Sequence, residues 1–178
     1  MKSPLVKNIS RCALFFAILA SAGCGTNRAT SGDPQSLTPE RAAAVEADVR
    51  AFAQTVAHDI TQKGPAAWRK HFADIPAFFM ADEGHLVFPN SAAVTAAIPD
   101  LTRTIKQIDL RWGDDLRIDP LTPNFAVMAA TWHEVRMDAA GHRVDETGFF
   151  TGTAERRDGR WQFRNVHWSV AAPPPAVP

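Results

Sequence analysis

Glu134 and Arg164 are the polar residues whose types and settings could do chemistry in this chain. Both fall in stretches that alternate by twos, so each has a definite strand face. If both point into one cavity, Glu134 could take a proton as general base and Arg164 could steady an enolate or carboxylate. The plainer alternative is one structural ion pair, or two surface groups near strand ends. Asp74, after a short helical stretch, is a third candidate, although a surface acid ending a helix accounts for it as well. His58, His71, His85, His133, His142 and His167 show no close metal-ligand spacing. His133-Glu134-Val-Arg-Met137 lacks the second histidine of a zincin and lies on an expected strand. His167 reads as an interface or core histidine rather than a base. Ser169 lacks a Gly-flanked elbow, and no Gly-rich loop is present to cradle phosphate. Neither a metal nor a cofactor is expected.

These residues must be positioned by the stretch Thr151 to Ser169. Asp158-Gly159 separates two alternating runs, a strong signal for a tight hairpin in which both central residues take φ > 0. The second arm puts Trp161, Phe163, Asn165, His167 and Ser169 on one face. Gln162, Arg164, Val166, Trp168 and Val170 share the other. Both faces carry large groups, so the arm reads as an inner strand of a curved sheet. One face lines a cavity and the other packs on a partner.

Upstream, Thr38-Pro39-Glu40 is a helix start, with Thr as N-cap, Pro at the first helical position and an acid in the first turn. Val45, Val49, Phe52, Val56 and Ile60 then form one apolar stripe. Gly64-Pro65 leads into a short second helix carrying Trp68 and Phe72 on one side. Asp82-Glu83-Gly84 turns a small hairpin. Asn90-Ser91 caps a third helical region, in which Pro99 predicts a kink or two abutting helices. Four strand-like segments follow: Ile108 to Ile118 with a bulge at Gly113, Phe125 to Met137, Arg143–Arg157 and Arg160–Val170. Helices followed by an antiparallel meander make an α+β fold. A long helix laid across a strongly curved, mostly antiparallel sheet encloses a cone, a cone-shaped α+β barrel.

The chain is too short for two ordinary domains. Lys+Arg and Asp+Glu are 19 each. Lys2, Lys7 and Arg11 are the only charges before residue 24, so the remainder is mildly acidic, with no basic stripe and no expected affinity for nucleic acid. Cys12 and Cys24 are the two cysteines, which leaves the folded domain without a disulfide. Those three basic residues, an apolar run from Cys12 to Ala22 and small residues before Cys24 describe a secretory signal over 1–23. The run is too short to cross a bilayer. Leu19-Ala-Ser-Ala-Gly-Cys24 resembles the bacterial lipobox, with Ser21 standing where that pattern prefers a larger aliphatic residue. The resemblance implies a lipidated Cys24 as first residue of the mature chain and a stable membrane anchor. Gly25 in place of an Asp implies an outer-membrane lipoprotein facing the periplasm. Residues 24–37 read as a flexible tether, 38–170 as the folded domain and 171–178 as a disordered tail.

The element order, closing on Arg-Arg-Asp-Gly-Arg-Trp-Gln-Phe-Arg-Asn-Val-His-Trp-Ser169, resembles the nuclear-transport-factor-like superfamily in its SnoaL-like branch. That group includes polyketide cyclases, ketosteroid isomerase and the association domain of calmodulin-dependent kinase. The resemblance runs from about Thr38 to Ser169 and is weak for function, because this fold hosts enzymes and non-enzymes. It implies that Trp168 points into the cone, with Val166 and Arg164 following by alternation. Trp132, Glu134 and Phe150 would join them, making an aromatic ligand pocket of Trp132, Phe150, Val166 and Trp168. Phe163, Asn165 and His167 would face outward, where such domains often form homodimers.

Three functions fit this reading. One is a lipid-anchored domain holding a small hydrophobic or amphipathic molecule. Another is an isomerase or cyclase that abstracts a proton next to a carbonyl, with Glu134 as base. The third is an assembly module whose cone is filled. For the anchor, tritiated palmitate is expected to label the wild-type protein in cells and not the Cys24→Ala variant.

Overall fold

The computed structural model describes residues 37–171. The expected signal peptide, lipidation at Cys24, and all but the last residue of the tether and the first of the tail lie outside the described residues. Helix α1 (Pro39–Lys63) begins as its residues dictate: Thr38 Oγ1 accepts a hydrogen bond from Arg41 N at 3.3 Å. Its stripe of Val45, Val49, Phe52, Val56 and Ile60 is buried, and the helix packs on two strands of the sheet, β3 (Ile105–Trp112) and β4 (Arg117–Thr122). Two cross-links fix it there: Trp112 Nε1 donates to Ala53 O at 2.8 Å and Leu110 N donates to Thr61 Oγ1 at 3.1 Å.

A 3-10 turn over Gly64–Ala67 leads into the four-residue helix α2 (Trp68–His71). Next come β1 (Phe79–Asp82) and β2 (His85–Phe88), joined through Glu83 at φ 45° and Gly84 at φ 80°. Helix α3 (Ser91–Thr104) is capped by Asn90, whose Oδ1 accepts from Ala93 N at 2.9 Å. It is one continuous helix through Pro99, not two abutting ones. Pro99 lies on the exposed side, where the carbonyl it leaves unpaired can be hydrated.

The remaining strands are β5 (Phe125–Asp138), β6 (Arg143–Arg157) and β7 (Arg160–Val170). The seven-stranded sheet runs β2-β1-β7-β6-β5-β3, and β4 also pairs with β5. All pairings are antiparallel except β1 with β7. The segment expected as one strand around Gly113 is thus two, end to end along the same edge of β5. At the break Gly113 N donates to Thr131 O at 2.9 Å, and the Asp115 carboxylate takes over the ladder bond from Thr131 N, also at 2.9 Å. The β6–β7 turn forms as its residues require, with Asp158 at φ 49° and Gly159 at φ 75°.

One irregularity decides which side chains face the cone. Thr153 pairs with Asn165, but Ala154 pairs with Phe163, so Arg164 is an extra residue in the ladder. Such a bulge breaks the period-two rule. Phe163, expected on the outer surface, is therefore fully buried together with Val166 and Trp168, while His167 does face water. Curvature has a second local device at Gly148. A Cβ there would fall 1.7 Å from the Ser169 carbonyl oxygen and 2.8 Å from Trp132 Cζ2. Gly148→Ala is expected to cost roughly 1–3 kcal/mol by overpacking, visible as a lower midpoint in denaturant; an unchanged midpoint would show that the bend has slack.

Candidate functional site

The inward positions of the strands converge on a cavity of about 290 Å³. Its walls come from the 3-10 turn and α2 (Pro65, Trp68), from β1 and β2 (Met80, Phe88), from α3 (Val94, Ile98) and from the concave face of the sheet. Trp168 is the centre of the aromatic wall. It meets Trp68 and Trp132 edge-on, with ring centres 5.7 and 5.5 Å apart, and stacks on Trp112 at 5.6 Å. Phe150 packs against it from below at 4.7 Å. With so many ring neighbours the indole has one orientation, and it is 7 % exposed.

The wall at α2 is held from behind by a buried carboxylate. Asp59 accepts from Lys63 Nζ at 2.6 Å and from Lys70 Nζ at 2.8 Å, and meets His71 Nε2 at 3.0 Å. The hydrogen bonds from Lys63, then Lys70, hold the Asp59 carboxyl well below its usual range. Burial pushes His71 down, against the opposing charge of Asp59. Neither residue lines the cavity. Their network clamps α2 to α1 and so sets the place of Trp68.

The polar end of the cavity is built by register. Glu134 on β5 lies directly opposite Glu146 on β6, an arrangement that is repulsive when both are charged. Arg136, two residues on and so on the same face, spans them: its Nε is 3.3 Å from Glu134 Oε1 and its Nη2 is 2.6 Å from Glu146 Oε2. Asp82, at the end of β1, reaches the same end of the cavity. Glu134 is 9 % exposed. Burial pushes its carboxyl up to about 7; Arg136 opposes the shift, and the charges of Glu146 and Asp82 add to it. Burial, then the neighbouring Glu83, also raises Asp82. The site thus holds an acid that exchanges its proton near neutrality, set against aromatic and aliphatic walls.

Of the residues expected from sequence, Glu134, Trp132 and Trp168 line this cavity. Phe150 and Val166 lie beneath it in the core, 0 % and 1 % exposed. Arg164 is not brought to Glu134. From its bulge it donates through Nη1 to Glu155 Oε2 at 2.8 Å, outside the cavity lining. Asp74 pairs with Arg69 at 2.6 Å on the surface. Sequence reasoning missed Asp82, Arg136 and Glu146. Arg136 carried a signal, since an i, i+2 pair on a strand shares a face; Glu146 needed the register and Asp82 the parallel β1–β7 pairing.

A wider, shallower groove of about 460 Å³ lies over Arg111, Thr131, His133 and Phe149. His133 there pairs with Asp145 at 2.7 Å, both well exposed. Exposed ion pairs of this kind contribute little, and the groove has no desolvated acid or base. Among the described residues no group of three or more His, Cys, Asp or Glu side chains is placed to hold a metal ion.

The chain has the nuclear transport factor 2-like fold, as its solved neighbours show. A superfamily protein of this type from Salmonella enterica aligns over 75% of this chain and 96% of its own, at 15% identity and TM-score 0.64. A hexachlorocyclohexane dehydrochlorinase, LinA type 2, aligns over 74% and 94% respectively, at 13% identity and TM-score 0.54. An NTF-2 like protein of unknown function from Shewanella oneidensis aligns over 69% and 97%, at 15% identity and TM-score 0.53. No protein-family model and no curated protein matches the sequence.

The raised Glu134 has a thermodynamic signature. A carboxyl raised by folding contributes stability that is complete below its unfolded value of 4.5 and is lost as pH climbs through about 7. The full loss is about 3 kcal/mol. Glu134→Gln cannot ionise, so its melting temperature relative to wild type is expected to rise between pH 5 and pH 8. A constant difference would show that Glu134 ionises without penalty.

Proposed function

We propose that the cone is a receptor for a small amphipathic molecule, presented by a lipid-anchored domain on the periplasmic side of the outer membrane. The observation that carries this reading is the desolvated Glu134 in the charged end of a cavity whose remaining walls are apolar. An empty structural core gains nothing from a carboxyl there, because burying it costs free energy. A ligand with an apolar body and a polar head uses both ends of the space. The cavity volume is at the lower limit of small-molecule sites, which favours a compact ligand. The anchor rests on the first two dozen residues of the sequence. Exposed Val127, Met137 and Phe149 on the convex face of the sheet support a homodimer through that face.

A second reading draws on the proton affinity of Glu134. A carboxyl that titrates near 7 is well matched to general base work at neutral pH. Arg136, rather than Arg164, then stands beside it to steady a developing enolate. This is the isomerase or cyclase reading, and the dehydrochlorinase among the fold neighbours shows that the shape is compatible with catalysis.

Screening steroid-like and fatty compounds by thermal shift tests the first reading. A true ligand at 100 times its Kd stabilises the fold by about 2.7 kcal/mol. Ile98→Trp, which fills the cavity from α3, is expected to remove that shift while leaving the protein folded. A shift that survives the filling places the ligand elsewhere. With a ligand in hand, Glu134→Gln separates the readings: an enzyme loses turnover and keeps affinity, whereas a receptor shows no turnover in either form.

A further inference from the structure

We infer that the molecule held in the cone bears a cationic head, an ammonium-type group on a compact apolar body. This rests on the receptor reading above and adds the charge of the ligand to it. The polar end of the cavity is lined by Asp82, Glu83, Glu134 and Glu146, against the single cation Arg136. That guanidinium is already divided between Glu134 and Glu146. Asp82 has no ion-pair partner among the described residues. An anionic head would meet several carboxylates and a committed arginine. A neutral head would leave the acids uncompensated. An ammonium group supplies donors to the carboxylates, and Trp68, Trp132 and Trp168 in the same lining belong to the residue type whose ring face attracts cations most strongly.

The charged groups around Glu134 come from three sources: Arg136 on its own strand, Glu146 on β6, and Asp82 with Glu83 at the β1 end. His167 on β7 lies close enough to Asp82 to act on its charge. β3 and α3 present only Ile105, Ile108, Val94, Ile98 and Leu101 to the cavity. Binding of a cation therefore favours loss of the Glu134 proton, and affinity for such a ligand rises as pH passes through about 7.

The test uses a matched set in which hexyl, decyl, phenethyl and naphthylmethyl bodies each carry an ammonium, a hydroxyl or a carboxylate. Binding to the full chain is measured by calorimetry at pH 6 and pH 8. At least one ammonium member is expected to bind tenfold or more tighter than its alcohol and to tighten further at pH 8, while the carboxylates stay weak. Asp82→Asn, at a half-buried position, should cut the ammonium preference severalfold without unfolding the protein. Glu134→Gln should flatten the pH dependence. Alcohols or carboxylates binding as well as ammoniums would overturn the cationic head and leave the receptor reading standing. Failure of every member on every body would overturn both.

Discussion

A pleated sheet encloses space only if it bends, and bending crowds the side chains on its concave face. The irregularities of this sheet sit where that crowding must be relieved. Gly148 and Gly152 remove side chains where the backbone of β7 and the rings of Trp132 and Phe150 come closest. The extra residue at Arg164 lets β7 turn relative to β6. On the far edge, the break between β3 and β4 lets two short strands follow one long curved one, with the Asp115 side chain standing in for a missing backbone acceptor. Helix α1 then lies across the sheet and closes one end, held by Trp112 and Thr61.

The open end is where the electrostatics become interesting. Glu134 and Glu146 are neighbours across the ladder because β5 and β6 pair without a shift along that stretch. Arg136 shares their face and offsets part of their repulsion, but it sits 36 % exposed and divides its donors. The deeper carboxyl has the longer contact with Arg136, and burial, which that contact only partly offsets, holds its proton near neutrality. A structural ion pair would show the opposite, an acid well below its usual range, as Asp59 does behind the wall of the same cavity. The contrast between these two buried acids, one satisfied and one not, separates scaffold from site in this fold.

Likeness to solved proteins is likeness of shape. At 13–15% identity with the aligned neighbours, what is shared is the fold. The fold positions side chains at a cone; which side chains they are decides between holding a molecule and transforming it.

Local chemistry was legible in the sequence because it depends on near neighbours. The apolar stripe of α1, the caps at Thr38 and Asn90, and the turns at Glu83-Gly84 and Asp158-Gly159 all came out as their residues require. The α+β class and the burial of Trp132, Glu134 and Trp168 followed from those elements and from the resemblance they carried. Only the tertiary structure decided the rest. Alternation carried Arg164 into the cone and Phe163 out of it; one bulge, set by pairing with a distant strand, reversed both. Glu146 and Asp82 meet Glu134 through strand pairing and register, which no spacing along the chain encodes; Arg136, two residues on along β5, was the one partner that spacing could have shown. Periodicity is a property of one segment, whereas a site is a property of how segments align, and that alignment is settled by the packing of the whole core.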